Sequence, residues 1–308
     1  MHSRRHFLQT TLGLAGAAAL QSGPTLSLAR PAPLATPRLA FSTLGCPKWS
    51  LDTILKTAAD SGYDAVEIRG LEGELDLSKR PEFSSPAALS ATLRRFRDRK
   101  LSVCDLGSSA QMHHADPAKR QKNLDEARRF IDMAQQLDCP FVRVFPDSLP
   151  KDQDREKTLG LISQGLLELG NHAKGSKVQV LLESHGELVT TNYLTRIMGQ
   201  AEHPNVGLIW DIFNMWVEGR EAPAAVHKTL KKYIRHVHVK DARVTGNTHQ
   251  YVLLGQGDAP LQEAITALRN DGYTGFYSFE WEKMWHPEIA EPELAIPDYP
   301  KAIRKYFI

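Results

Sequence analysis

Val178-Gln-Val-Leu-Leu-Glu183-Ser-His185 is a short, nearly unbroken apolar run that stops on a carboxylate and an imidazole. A run of this length and composition predicts a strand covered on both faces, as in a parallel sheet. Seven similar runs lie elsewhere in the chain: Leu39–Leu44, Ala65–Ile68, Leu101–Leu106, Phe141–Phe145, Val206–Trp210, Ile234–Val239 and Phe276–Phe279. Amphipathic stretches alternate with them. The spacing predicts helices over Leu51–Ser61, Ala87–Arg99, Asn123–Leu137, Thr158–Lys174, Thr191–Gly199, Ala222–Tyr233, Pro260–Asn270 and Tyr299–Phe307. In Asn123–Leu137 the stripe is Leu124, Ala127, Phe130, Ile131 and Ala134. Eight strand–helix units favour an α/β fold closed as a (β/α)₈ barrel over an open doubly wound sheet. No Gly-x-Gly-x-x-Gly follows the first run, so a dinucleotide fold has no support.

The leader reads differently. Residues 1–29 carry Ser3-Arg4-Arg5-His6-Phe7-Leu8, which resembles a twin-arginine export signature, then the modest apolar run Leu12–Leu20 and a small-residue stretch Leu26-Ser-Leu-Ala29. The run is too short and too weakly apolar for a stable membrane anchor. Residues 30–37 are a proline-rich linker, and residues 38–308 are the single barrel domain. The expected location is periplasmic or secreted, with the twin-arginine translocation machinery as a partner. Such substrates cross the membrane folded, so a weakly held metal is loaded inside, before copper or zinc compete for the site.

Over 308 residues the net charge is +2, and no basic tract interleaves with aromatics, which gives nucleic-acid binding no electrostatic support. Cys46, Cys104 and Cys139 are widely spaced and form no Cys-x-x-Cys pair. They read as small buried apolar residues rather than a disulfide framework.

In a (β/α)₈ barrel, chemistry sits at the C-terminal ends of the strands. Four successive runs end on Glu183, Asp211, His238 and Glu280, spaced 28, 27 and 42 residues apart (183 to 211, 211 to 238, 238 to 280). Each alone has an ordinary explanation: a rim carboxylate, a salt-bridge partner, a hydrogen-bonded core histidine. Together they converge on one quadrant of the barrel mouth. Burying three carboxylates without a cation is costly, and a divalent ion removes the cost. Three oxygen ligands and one imidazole suit one divalent metal ion, Mn²⁺ favoured, with Mg²⁺, Co²⁺, Fe²⁺ or Zn²⁺ compatible. His236 shares a strand face with His238, so only one need be a ligand. Asp241 reads as an orienting group or a turn former.

These residues also carry a resemblance. Leu-Leu-Glu183-Ser-His185-Gly, Ile-Trp-Asp211, His-Val-His238-Val-Lys-Asp241 and Phe-Glu280-Trp-Glu282-Lys resemble the sugar phosphate isomerase/epimerase family, which has the xylose isomerase-like TIM barrel. That family includes ketose 3-epimerases, hydroxypyruvate isomerase and inosose dehydratase. The resemblance implies that Glu183, Asp211, His238 and Glu280 ligate the metal and that Glu183 and Glu280 form the acid/base pair. Gly255-Gln-Gly-Asp258 resembles the family's Gly-Glu-Gly-Asp loop. Two departures stand out: Asn214 replaces a histidine that many members carry, and Arg243 lies only near the epimerases' substrate-binding arginine.

The expected activity is isomerisation or epimerisation of a small carbohydrate by α-proton transfer through an enediolate. The alternative is a lyase or dehydratase that expels a β-substituent from a keto-sugar or 3-keto-glycoside. A metal-dependent phosphodiesterase would want a histidine-rich, multi-metal site, and a non-catalytic sugar-binding protein would not need both glutamates. His185, Arg243, Glu67, His113 and Trp49 are candidate substrate-binding residues. Barrels of this kind often form homodimers, although no interface patch is assignable from the sequence.

Overall fold

Local signals in the chain set where each element begins. Ser50 accepts a hydrogen bond from Thr53 N and opens helix α1 (Leu51–Ser61), which ends at the left-handed Gly62. Ser85, Asp116 and Asp154 cap α2 (Pro86–Asp98), α3 (Pro117–Gln136) and α4 (Arg155–His172) in the same way. Pro86 and Pro117 occupy first-turn positions, where a missing N–H costs nothing. The computed structural model describes residues 36–308, so the leader and most of the proline-rich linker lie outside the described residues.

Eight strands close the barrel: β1 (Arg38–Ser42), β2 (Ala65–Ile68), β3 (Ser102–Gln111), β4 (Phe141–Phe145), β5 (Gln179–Glu183), β6 (Val206–Asp211), β7 (Ile234–Val239) and β10 (Phe276–Phe279). All pair in parallel, in the order β1-β10-β7-β6-β5-β4-β3-β2, and the ring closes through β1 and β2. The remaining helices are α5 (Thr191–Gln200), α6 (Ile212–Val217), α7 (Pro223–Leu230), α8 (Leu261–Asn270) and α9 (Pro292–Arg304). All eight expected strands are present, most within two residues of their predicted bounds.

Three features differ from the sequence reading. First, β8 (Asp241–Thr245) and β9 (Thr248–Val252) form an antiparallel hairpin after β7, built on Gly246 in the left-handed region. It fills the long interval between His238 and Glu280. Second, α3 starts at Pro117, because Asp116 supplies a cap that apolar periodicity does not register. Third, α9 begins at Pro292, seven residues before the expected start at Tyr299, and runs through Pro297 and Pro300. Pro300 has no N–H for the carbonyl of Ile296 four residues back. The Tyr63 hydroxyl donates to that carbonyl instead, at 2.6 Å in a buried setting.

Cys46, Cys104 and Cys139 are buried and free. No helix among the described residues is long and apolar enough to cross a membrane.

Tyr63→Phe should therefore leave the Ile296 carbonyl buried and unpaired. The expected loss is about 1–3 kcal/mol, read as a lower urea midpoint with unchanged slope. An unchanged midpoint would show that water replaces the hydroxyl.

Candidate metal centre

Because strand residues alternate between the two faces, His236, His238 and Lys240 all project from the same side of the chain around β7. All three are buried. The side chains of Glu183, Asp211, His238 and Glu280 meet there, each offering a ligand atom within 4.8 Å of the others. His238 Nδ1 lies 3.1 Å from Glu183 Oε1 and 3.3 Å from Glu280 Oε1. Adjacent ligands held about 2.1 Å from a common octahedral ion stand about 3 Å apart, so this spacing fits one divalent cation. Asp211 divides its oxygens. Oδ1 accepts from Asn214 N at 2.8 Å and caps α6, while Oδ2 faces the Lys240 ammonium at 2.7 Å. Asn214 thus contributes its backbone here, and its side-chain amide donates to Ser184 O at 3.4 Å.

His238 is held from below. Its Nε2 lies 3.0 Å from Glu67 Oε2, the oxygen that also meets His236 Nε2 at 3.1 Å and accepts from the Ser278 hydroxyl at 3.0 Å. A proton on Nε2 is donated to Glu67, and the Nδ1 lone pair then faces the carboxylates above, which is the arrangement of a carboxylate–histidine–metal relay. Glu67 is 0% exposed and lies beneath the ligand, not at a substrate surface. Asp105 sits beside it on β3, its oxygens without partners, and burial together with the Glu67 charge pushes its carboxyl up.

Two buried cations flank the carboxylates. Arg143 Nη1 donates to Glu183 Oε2 at 2.9 Å and lies 3.8 Å from Glu280 Oε1. Lys240 Nζ stands 2.7 Å from Asp211 Oδ2, 2.6 Å from Glu280 Oε2 and 2.8 Å from Glu282 Oε1. The sequence reading treated an ion as the sole answer to carboxylate repulsion, and these two side chains carry part of that load. Four carboxylates, two cations and one divalent ion sum to zero. Neither cation was singled out from the sequence. The available signal was alternation: Arg143 is a lone charge inside Phe-Val-Arg-Val-Phe, and Lys240 continues the inward series of His236 and His238.

Above the ligands opens a cavity of about 240 Å³, lined by Leu44, Arg69, Arg143, Glu183, Glu280 and Glu282, with His185, Asp147, Gln111, Phe145 and Trp285 at its sides. His185 Nδ1 is 3.2 Å from Asp147 Oδ1. Burial disfavours its imidazolium, yet the Asp147 bond together with the Glu183 and Asp147 charges outweighs that and holds the pKa above the ordinary value. Gly186, at φ 62°, lets the next turn press onto the Asp147 carbonyl, where a Cβ would stand 2.1 Å away.

Of the five candidate substrate-binding residues, His185 lines this cavity. Trp49 belongs to a different one, where its indole donates to Glu293. His113 is buried against His114, outside the cavity wall. Arg243 is exposed on the hairpin and donates to Gln256 O. Asp241 accepts from the backbone N–H of Ala242, Gly255, Gly257 and Ala259, and so organises the Gly255–Asp258 loop.

Glu67→Leu should weaken Mn²⁺ binding by about 10- to 100-fold by calorimetric titration. Equal affinity in the variant would remove Glu67 from the metal's support. The metal-free site also holds protons that an ion must displace. Burial lowers the pKa of His238, but Glu280, Glu67 and Glu183 outweigh it and set it well above the ordinary value. Burial, opposed by Lys240 but reinforced by Glu280, pushes Asp211 up to about 7. Mn²⁺ affinity should fall by about tenfold per pH unit through neutrality, and more steeply below pH about 7. A flat profile from pH 6 to 8 would contradict this assignment.

Comparison with known proteins follows the geometry. The chain is 24% identical to the uncharacterised protein YihM of Escherichia coli over 219 residues, which cover 70% of this chain and 61% of YihM. It is 21% identical to fructoselysine 3-epimerase of Shigella flexneri over 266 residues, 82% of this chain and 91% of that enzyme. Two dehydratases match over 44% and 52% of this chain. The crystal structure of the IolI protein with a zinc atom superposes with a TM-score of 0.74 at 20% identity, covering 88% of this chain and 98% of that one. The family model described as the xylose isomerase-like TIM barrel matches residues 55–306, and the chain belongs to that family.

Proposed function

We propose that the protein is a metal-dependent sugar isomerase or epimerase that moves a proton on the carbon next to a carbonyl. The observation that carries this reading is a division within the ligand set. Glu183 and Glu280 line the cavity, whereas Asp211 and His238 do not. Two of the four ligands can therefore reach a bound molecule. A divalent ion at this site, for which we favour Mn²⁺, would polarise a substrate carbonyl and its neighbouring hydroxyl and acidify the C–H between them.

The side chains do the rest. Glu183 takes the proton, and Glu280, held ionised against burial by His238 and Lys240 until it takes a proton from solvent, then delivers that proton to the opposite face or to the neighbouring carbon. Each keeps its second oxygen on a buried cation, Arg143 for Glu183 and Lys240 for Glu280. These contacts fix which oxygen of each turns toward His238. Burial and the Glu280 charge raise the Glu183 carboxyl, but Arg143 and His238 outweigh them and hold it below the usual range. It is thus ionised and ready to accept. Phe145, under the Arg143 guanidinium at 4.1 Å, and Leu44 keep water from one side of the cavity. Similarity to an epimerase across most of both chains supports the reading.

One observation favours elimination as a second reading. Glu282 also lines the cavity, and burial pushes its carboxyl up despite Lys240. A protonated Glu282 could hand its proton to a departing β-substituent. The two outcomes differ in product mass, since epimerisation conserves it and dehydration lowers it. We also read the chain as exported, on Arg4-Arg5 and the apolar run behind them. Cell fractionation of the full chain and an Arg4→Lys/Arg5→Lys variant tests that reading, and unchanged export of the variant would remove it.

For the catalytic pair, Glu183→Gln and Glu280→Gln should each cut solvent-deuterium incorporation into substrate by about 10²- to 10⁴-fold. Because both residues also belong to the candidate ligand set, each variant is assayed after loading with excess Mn²⁺, its metal content checked by elemental analysis. Full exchange in either metal-loaded variant would take that residue out of the proton path.

A further inference from the structure

The cations at this end of the barrel are not equally matched. Arg143 and Lys240 each pair with carboxylates. Arg69 also lines the cavity, is 6% exposed, and among the described residues has no carboxylate oxygen at ion-pair distance. Its Nη2 donates to Ser109 Oγ at 3.2 Å, and its Nη1 is buried without a partner. Glu183, Glu126 and Glu280 favour its charge from a distance, but a buried guanidinium with no carboxylate in contact is costly, and such groups mark functional sites.

The surrounding chain is built to hold it there. Arg69 N donates to Thr43 Oγ1 at 2.9 Å, and that hydroxyl donates to Gly70 O at 2.7 Å, which pins the backbone just after β2. The side chain passes over Gly107 of β3. A Cβ there would stand 2.7 Å from Arg69 Cδ and 3.2 Å from Arg143 Nη2, so this glycine makes room for two guanidinium side chains side by side. Burial, then the neighbouring Arg143, pulls the Arg69 pKa down to about 9, which leaves it charged at neutral pH.

We propose that Arg69 receives a carboxylate of the substrate, and that the cavity is made for an acidic sugar, a hydroxy- or keto-carboxylate, rather than a neutral one. This rests on the cavity above Glu183 and Glu280 being the seat of the reaction. A carboxylate brings one negative charge and two oxygens in a plane, matching one guanidinium edge. A phosphate brings nearly two charges into a cavity already walled by Glu183, Glu280, Glu282 and Asp147. The sequence also offers no glycine-rich loop of backbone N–H groups to cradle one. With the carboxylate at Arg69, the other end of the molecule lies over Glu183 and Glu280, so one contact sets which carbon meets the acid/base pair.

The test uses three probes that share a ring and differ at one carbon: D-glucuronate, D-glucose and D-glucose 6-phosphate. Binding to the Mn²⁺-loaded protein is measured by calorimetry for the wild type, Arg69→Met and Arg69→Lys. The expected result is glucuronate bound at least about tenfold tighter than the other two, the worth of one charge-assisted hydrogen bond. That preference should vanish in Arg69→Met and survive in part in Arg69→Lys, with Mn²⁺ affinity preserved in both as the check on folding. Glucuronate bound no tighter than glucose, including no binding of either, overturns the proposal. So does a preference that persists in Arg69→Met, or tightest binding of glucose 6-phosphate. Deuterium incorporation from solvent is followed on the same samples. An Arg69-dependent glucuronate preference without exchange would sink the proton-transfer reading and leave this one. Exchange on the neutral sugar, equal in wild type and Arg69→Met, would do the reverse.

Discussion

Four carboxylates, Glu183, Asp211, Glu280 and Glu282, share one water-poor end of a barrel, and their mutual repulsion is the constraint that the surrounding structure answers. Like charges at this depth cannot be left to solvent screening. The protein supplies two fixed cations, and each touches more than one carboxylate. Fixed cations have a further effect that a mobile ion lacks: they bias which oxygen of each carboxylate is free. Glu183 Oε2 goes to Arg143 and Glu280 Oε2 goes to Lys240, so both Oε1 atoms turn toward His238. The ligand geometry exists because the counter-charges sit on the far side of each carboxylate.

The same logic extends downward in layers. His238 forms the floor of the ligand set, Glu67 orients His238, and His236 and Ser278 share the oxygen of Glu67 that does so. These groups come from β2, β7 and β10, which are far apart in sequence. The interior of the barrel is thus a polar stack under the site, inside a shell of aliphatic and aromatic side chains. Charge buried this way is costly unless it is paired, and burial together with the Glu67 charge pushes the Asp105 carboxyl toward its neutral form.

Much of this was legible in the sequence, for identifiable reasons. Parallel strands covered on both faces read as apolar runs whatever their neighbours, so all eight appear. The convergence of Glu183, Asp211, His238 and Glu280 was legible because barrel chemistry collects at strand ends, where these four interrupt apolar runs. What failed was anything set by contact between distant segments. Glu67 lies where a strand end would place a cavity residue, but it tilts inward to His238, and only the barrel interior shows that. Trp49 and Arg243 have site-like neighbours in sequence and other partners in space. Arg69, Arg143 and Lys240 escaped because a lone basic residue in or just after a strand is usually solvated, and alternation, which marks Arg143 and Lys240 as inward, does not say what each would pair with. Continuation of α9 through Pro297 and Pro300 depends on a hydroxyl more than two hundred residues away.

The ring of strands has its seam between the first and the last, β1 against β10. A chain made from its N-terminus can lay down seven strands, with Glu183, Asp211 and His238 already in place, and still have an open edge on each side. Glu280 arrives only with β10, and α9, which ties back to Tyr63, follows it. The fourth ligand is therefore delivered by the same event that seals the barrel. The four-residue set is complete only when the ring of strands is closed, so an ion bound to all four would report a closed barrel.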